Sequence, residues 1–497
     1  MYRGKYFSID NFGGGMAPDS PSTSLAPNQA TAMDNMIILP NGMGLRSRPG
    51  DSAFNATAMN SGANVQGVGY FLKSAGTKWL VAIAGAKIYK SDELDGTMDD
   101  ITGAYAGLTA GQDNRWSFVT FNDTLIGFGG PKNDPDAPVK WAGTGDVAAL
   151  GGTPPDAYGG LTANNRVFAF RTATDPSTIH WTVIGDPEDW SGAGSGSAVI
   201  GSLSDNEKIT GAVVISTNYM LIFKENSTHQ MVISQAPFSV YSLFDTVGCV
   251  GKDAIVNIDG IVYFISSNLK MYSTDGSAVQ SYPGFDSKWI NVKSGEEPYV
   301  QGNRIKGKDY DWLVWLIRYT GLDDNAGYAY IWDLKNSCWL QCTSGFAQNT
   351  ATVDPNGRVY YGGYDGKIYK PMQEGVYADA SESGAAITAY YRSGWLNPEN
   401  IAKVTQVHKV EVVGAYKASG NLTLKYGYDG VEDQQTVTIS QTRPLTTGQY
   451  YHRGTVCSGR GNTFQYLLYH SSAAVDTQIT KLVLAGKVYG QKEQEES

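Results

Sequence analysis

Asn164-Asn-Arg-Val-Phe-Ala-Phe-Arg171 leads into Thr178-Ile-His-Trp-Thr-Val183 and Gly185-Asp-Pro-Glu-Asp-Trp190. After a Gly/Ser passage come Lys208-Ile-Thr-Gly-Ala-Val-Val-Ile215 and Tyr219-Met-Leu-Ile-Phe-Lys224. β-Branched and aromatic residues fill each short run, and Gly, Pro, Asn and Asp separate the runs, so the stretch reads as strands joined by tight turns. The same unit recurs outward in both directions, with starts at Gln66, Arg115, Arg166, Lys208, Asp253, Asp309 and Thr350. Their spacing of roughly 40–60 residues is that of four-stranded propeller blades. The fold class expected is all-β: a β-propeller of six or seven blades followed by an antiparallel β-sandwich.

Composition agrees with sheets and turns. Gly at 59 and Tyr at 31 are abundant, while Ala and Leu do not cluster at helical spacing. The net charge of −10 argues against a surface that grips nucleic acid, which needs clustered Lys and Arg, yet suits one that nucleic acid slides past. No apolar run approaches the ~18 residues of a membrane helix; the densest, Trp312-Leu-Val-Trp-Leu-Ile317, is strand-sized. Met1-Tyr-Arg-Gly-Lys-Tyr-Phe7 lacks the apolar region of a signal peptide. Cys338 and Cys342 on one straight strand would lie about 13 Å apart, beyond the ~7 Å reach of a disulfide. Cys249 and Cys457 are scattered, so buried reduced thiols and folding in cytoplasm are expected.

Four segments follow. Residues 1–50 form an irregular arm contributing to ring closure, in which Asn28 can cap a short helix over Gln29–Met36 and Asn41-Gly42 marks a hairpin turn. Residues 51–376 form the propeller. Gly85-Ala-Lys-Ile-Tyr-Lys90 in the first unit resembles Gly366-Lys-Ile-Tyr-Lys370 in the last, as neighbouring blades of a closed ring would. Residues 384–490 carry longer alternating strands such as Asn421-Leu-Thr-Leu-Lys-Tyr426, the half-buried pattern of a sandwich. Residues 491–497 read as a loose tail.

No catalytic, cofactor or metal site emerges. The serine-hydrolase elbow is absent, since Gly192-Ala-Gly-Ser-Gly196 has the wrong spacing. Gly366-Lys367 lacks the rest of a phosphate loop, and the acidic Ser91–Asp100 stretch lacks the ligand order of a calcium hand. The five histidines are isolated from one another. Thr352-Val-Asp-Pro-Asn-Gly-Arg-Val-Tyr360 is a degenerate form of a sialidase-type hairpin, and no pair of carboxylates can be nominated for glycoside hydrolysis. Trp312, Trp315, Trp332 and Trp339 suit either sugar stacking or the wedges between blades. Arg46 and Arg48 are either contacts to acidic side chains at the ring-closing edge or solvated turn residues.

Phe12-Gly-Gly-Gly15, Leu25-Ala-Pro-Asn-Gln-Ala30, Asp34-Asn35 and Gly44-Leu-Arg-Ser-Arg-Pro-Gly50 resemble the opening of tail proteins from short-tailed bacteriophages. Asn165-Arg-Val-Phe-Ala169, Gly185–Trp190, Leu221-Ile-Phe-Lys-Glu-Asn-Ser227 and Asp259-Gly-Ile-Val-Tyr-Phe-Ile-Ser266 extend the likeness, in order, to about residue 375. These relatives are β-propeller tail-nozzle, or DNA-stabilisation, proteins that assemble below the portal and its adaptor ring. The resemblance implies a non-enzymatic virion component without cofactors: a homohexameric ring assembled in the host cytoplasm, continuing the DNA channel and docking fibres or a needle. Six acidic chains would discourage DNA from adhering to that conduit. Two other readings stand beside it. One is a phage-borne carbohydrate-binding or depolymerising propeller, motivated by aromatic richness; the other is a cytosolic scaffold propeller binding peptides on its face.

Overall fold

Runs of alternating and β-branched residues become strands almost throughout. The computed structural model describes residues 5–489 apart from 93–94, 203–206, 323–326, 347, 398–403, 416–419, 442–450 and 473–476; the expected loose tail at 491–497 lies outside the described residues. Seven four-stranded antiparallel sheets follow one another, at 65–100, 115–149, 157–199, 209–244, 255–281, 301–342 and 348–373. The first strands of successive sheets touch in cyclic order, and that of the seventh touches that of the first. The sheets therefore close into a seven-bladed propeller with the first strands around the axis.

The seventh blade takes its fourth strand from the other end of the sequence. Gly50–Ala53 pairs antiparallel with Ile368–Gln373, Ala53 opposite Tyr369 and Ser52 opposite Lys370. The two similar Lys-Ile-Tyr-Lys runs lie on the third strands of blades 1 and 7, which are neighbours. Two expected blade starts are one strand late. Arg166 and Asp309 precede or begin second strands, and the first strands are Ala157–Ala163 and Gln301–Lys306.

Beyond the propeller, one antiparallel sheet runs Met36–Ile38, Leu45–Ser47, Gln478–Tyr489, Val404–Ala415, Tyr451–Val456, with Lys5–Ile9 also paired to Gln478–Tyr489. A second runs Ala30–Asp34, Thr388–Ser393, Phe464–Ser471, Gly420–Tyr428, Val431–Gln441. Val410, Val412 and Leu482 from the first and Leu422, Leu424 and Tyr426 from the second join one apolar cluster. The alternation reading places the same face of Gly420–Tyr428 inward.

The N-terminal arm corrects two expectations. Ala30–Asp34 and Met36–Ile38 are strands rather than a helix, because each has a partner strand to satisfy its amides, which outweighs the cap signal of Asn28. The arm also does more than help close the ring: its strands from Lys5 to Ser47 belong to both C-terminal sheets, and only Gly50–Ala53 enters the propeller. Among the described residues no helix is long and apolar enough to cross a membrane.

Candidate functional site

Two interior places concentrate charge. The first lies where the arm passes from the C-terminal sheets to blade 7. Arg48 is 2% exposed. Its Nη1 and Nη2 donate to the two carboxylate oxygens of Asp379 at 2.8 and 2.6 Å, its Nε to Asn35 Oδ1 at 2.8 Å, and Nη2 also to the Ser344 carbonyl at 2.7 Å. Its guanidinium also lies over the Phe346 ring. Arg46 donates to both oxygens of Glu374 at 3.2 and 2.8 Å and lies 3.5 Å from Asp309. Both arginines thus face acidic side chains at the junction, Arg48 in the interior and Arg46 nearer its edge.

More carboxylates gather beside Arg48. Asp34 accepts from the Thr343 amide at 2.8 Å and from the Thr343 hydroxyl. Asp51 accepts from the Ser381 amide at 3.0 Å and the Ser381 hydroxyl. Burial pushes both acids up to about 6, against the lowering effect of those donors and of Arg48. These groups are matched to protein donors and fasten segments together.

The second place caps one end of the propeller bore. In an antiparallel blade the start of the first strand and the end of the second lie at the same end, so residues at those positions from different blades converge on the axis. Arg115 opens blade 2, Tyr158 lies at the start of blade 3, and Arg171 and Arg318 end second strands in blades 3 and 6. Lys252 and Tyr299 immediately precede the first strands of blades 5 and 6. The guanidinium carbons of Arg115 and Arg318 lie 4.9 and 5.2 Å from the Tyr299 ring centre, and Lys132 Nζ lies 5.9 Å from it. Arg171 and Lys252 lie 4.8 and 4.4 Å from the Tyr158 ring centre. Lys252 Nζ donates to the carbonyls of Arg115 and Tyr158 at 3.2 and 2.7 Å. Arg318 pairs with Asp113 at 2.7 Å and Glu296 at 2.5 Å.

These contacts join blades 2 and 3 to blades 5 and 6 across the ring, so side chains obstruct the bore at this end. Toward the other end it is hollow, with a cavity of about 380 Å3 against the first strands of blades 5, 6 and 7. Burial pushes the Lys252 ammonium down to about 8, with Asp253 opposing the shift. It likewise lowers Arg115, Arg171 and Lys132.

Neither place offers a cysteine thiolate at neutral pH, and among the described residues neither offers a metal centre. All four cysteines are free and buried, and burial pushes the Cys249 and Cys342 thiols up to about 12, where they are not thiolates at neutral pH. Among the described residues no three His, Cys, Asp or Glu side chains are grouped to hold a metal ion. Trp312, Trp315 and Trp339 are buried, and Trp332 packs against Tyr282 and Trp339, so these rings fill space within and between blades. The Thr352–Tyr360 stretch is the first hairpin of blade 7, its turn held by Asp354 accepting from the amides of Asn356 and Arg358.

The axial cluster was not foreseen from sequence. Its members are scattered over 113–318, and only knowledge of which strand is innermost brings them together.

No family model and no curated protein matches the chain. Among solved structures it is similar to a streptogramin B lyase (15% identity, 64% of this chain and 96% of that one, TM-score 0.41). It is also similar to the WD40 β-propeller domain of Doa1 (13%, 66% and 98%, 0.41) and to YCF48 from Cyanidioschyzon merolae (10%, 66% and 100%, 0.40).

Proposed function

We propose that the chain is a structural component of a phage tail, forming the ring-shaped distal nozzle of the DNA channel as a homohexamer below the adaptor or portal complex and docking fibres or a needle. The observation that carries this reading is where the motif residues fall. Phe12 packs edge-on against Tyr391 in the C-terminal core, and Arg46 and Arg48 fasten that core to blades 6 and 7. In the Gly185–Trp190 motif, Glu188 accepts from Lys140 Nζ and the Gly151 amide, both at 2.6 Å, tying blade 3 to blade 2. The shared motifs thus serve as internal fasteners, which suits a block that holds its shape within an assembly.

The blocked bore refines the reading. Duplex DNA cannot thread a bore crossed by Arg115, Tyr299 and Arg318, so the conduit is the opening between copies. Each copy presents an acidic surface overall. The test is electron microscopy of the purified chain, alone and mixed with portal–adaptor complexes. Rings of six seated on the adaptor are expected; a chain that stays monomeric in both samples and is absent from virions ends the proposal.

A further inference from the structure

We propose that the cations around Tyr158 and Tyr299 form a binding site for a small phosphate-type oxyanion. Of the five, Arg318 is already neutralised by Asp113 and Glu296. Among the described residues, Arg115, Arg171, Lys132 and Lys252 have no carboxylate within ion-pair distance; Asp253, Glu225 and Glu297 act on them only from farther away. Arg115 and Arg171 are 1% and 4% exposed, and Arg115 Nε and Arg171 Nη2 are buried with no acceptor among the described residues. Native interiors rarely leave a charged donor unmet, since neither water nor protein then repays its lost hydration.

Two features point to a tetrahedral oxyanion as the missing acceptor. The unmet donors are one charged guanidinium N–H on each of two arginines, Arg115 and Arg171, which a tetrahedral anion would meet with separate oxygens. Lys132, Lys252 and Tyr299 are only half-buried, so this end of the ring admits a small ion from solvent. An anion held there would link blades 2, 3 and 5, and so bind the folded ring in preference to the unfolded chain.

The test is thermal unfolding of the full chain titrated with sodium phosphate at constant ionic strength, with sodium chloride as the matched control. A saturable rise in Tm with phosphate and none with chloride is expected. Half-saturation should move at least about tenfold higher in Arg171→Met, the loss expected for one charged hydrogen bond. Lys132→Met removes a half-exposed cation, keeps the fold safer, and should shift half-saturation in the same direction. No saturable rise, an equal rise with chloride, or wild-type half-saturation in both variants would overturn the proposal.

Discussion

Arg48 has all of its donor nitrogens engaged: Nε on Asn35, Nη1 on Asp379 and the Pro49 carbonyl, Nη2 on Asp379 and Ser344. With both partners about 1% exposed in their side chains, removing one leaves the other charge buried. Arg48→Met should therefore cost about 3–5 kcal/mol, whereas Arg48→Met with Asp379→Leu should recover much of it, because an apolar pair of similar volume often replaces a buried ion pair at little loss. Urea unfolding of the single and double variants checks this; a double variant worse than the single would contradict it. The neighbouring acids give a pH signature. Asp34 and Asp51 titrate near 6 when folded, above the ordinary aspartate value. A raised folded pKa favours the folded state fully below about 4 and loses that contribution as pH rises through about 6. Asp51→Asn, a permanently neutral mimic, should therefore gain in Tm relative to the parent between pH 5 and pH 7.5. An advantage that shrinks with rising pH would refute the assignment.

The innermost strands explain both what the sequence reveals and what it hides. Second strands such as Arg166–Thr172 and Asp311–Arg318 are almost wholly buried and rich in aromatic and β-branched residues, so they announce themselves and read as blade starts. The true first strand of blade 3, Ala-Tyr-Gly-Gly-Leu-Thr-Ala, has little β-character because the ring narrows toward its axis. A Cβ on Gly160 would lie 2.3 Å from the Phe128 ring of blade 2, and one on Gly302 would lie 2.8 Å from Val256 of blade 5. Glycine here makes room for the adjacent blade, and a propensity reading sees only a weak strand. Gly160→Ala should accordingly destabilise by about 1–3 kcal/mol through overpacking, measured by chemical unfolding; a neutral result would mean that Phe128 can swing aside. The same convergence hides the axial cluster. Arg46 and Arg48 are conspicuous in a sequence short of charge, but Arg115, Arg171, Lys252 and Tyr299 look like ordinary strand ends. The arm misled for another reason: Asn28 is a sound helix cap locally, but the strand pairing of Ala30–Asp34 is with Thr388–Ser393, over 350 positions away.

At the scale of the whole molecule, the path of the chain ties together what composition divides. The arm gives strands to both C-terminal sheets and then supplies the outer strand of blade 7. On the way it lays Met16 against Trp339 of blade 6, and Asp19 accepts the amides of Asp286 and Ser287 at 2.6 and 3.0 Å. Phe12, Met33, Met36, Ile37 and Leu45 are buried in an apolar cluster that runs unbroken into Trp289, Trp312 and Trp315 of the propeller side. Two domains joined by a free linker melt separately; two that share a core and a threaded arm do not, because neither can open without exposing the other's apolar surface. Calorimetry should therefore show one transition, with the van't Hoff enthalpy close to the calorimetric one. Arg48→Met at the junction and Gly160→Ala in blade 3 should both move that single peak. A chain ended after residue 383 keeps the closing strand Gly50–Ala53 but strips Lys5–Ile9, Ala30–Asp34 and Leu45–Ser47 of their C-terminal partner strands, so it should expose those five apolar side chains and aggregate on expression. Two resolved peaks in the intact chain, or a soluble 1–383 fragment that melts like the parent, would show the ring to be self-sufficient and the arm a mere appendage.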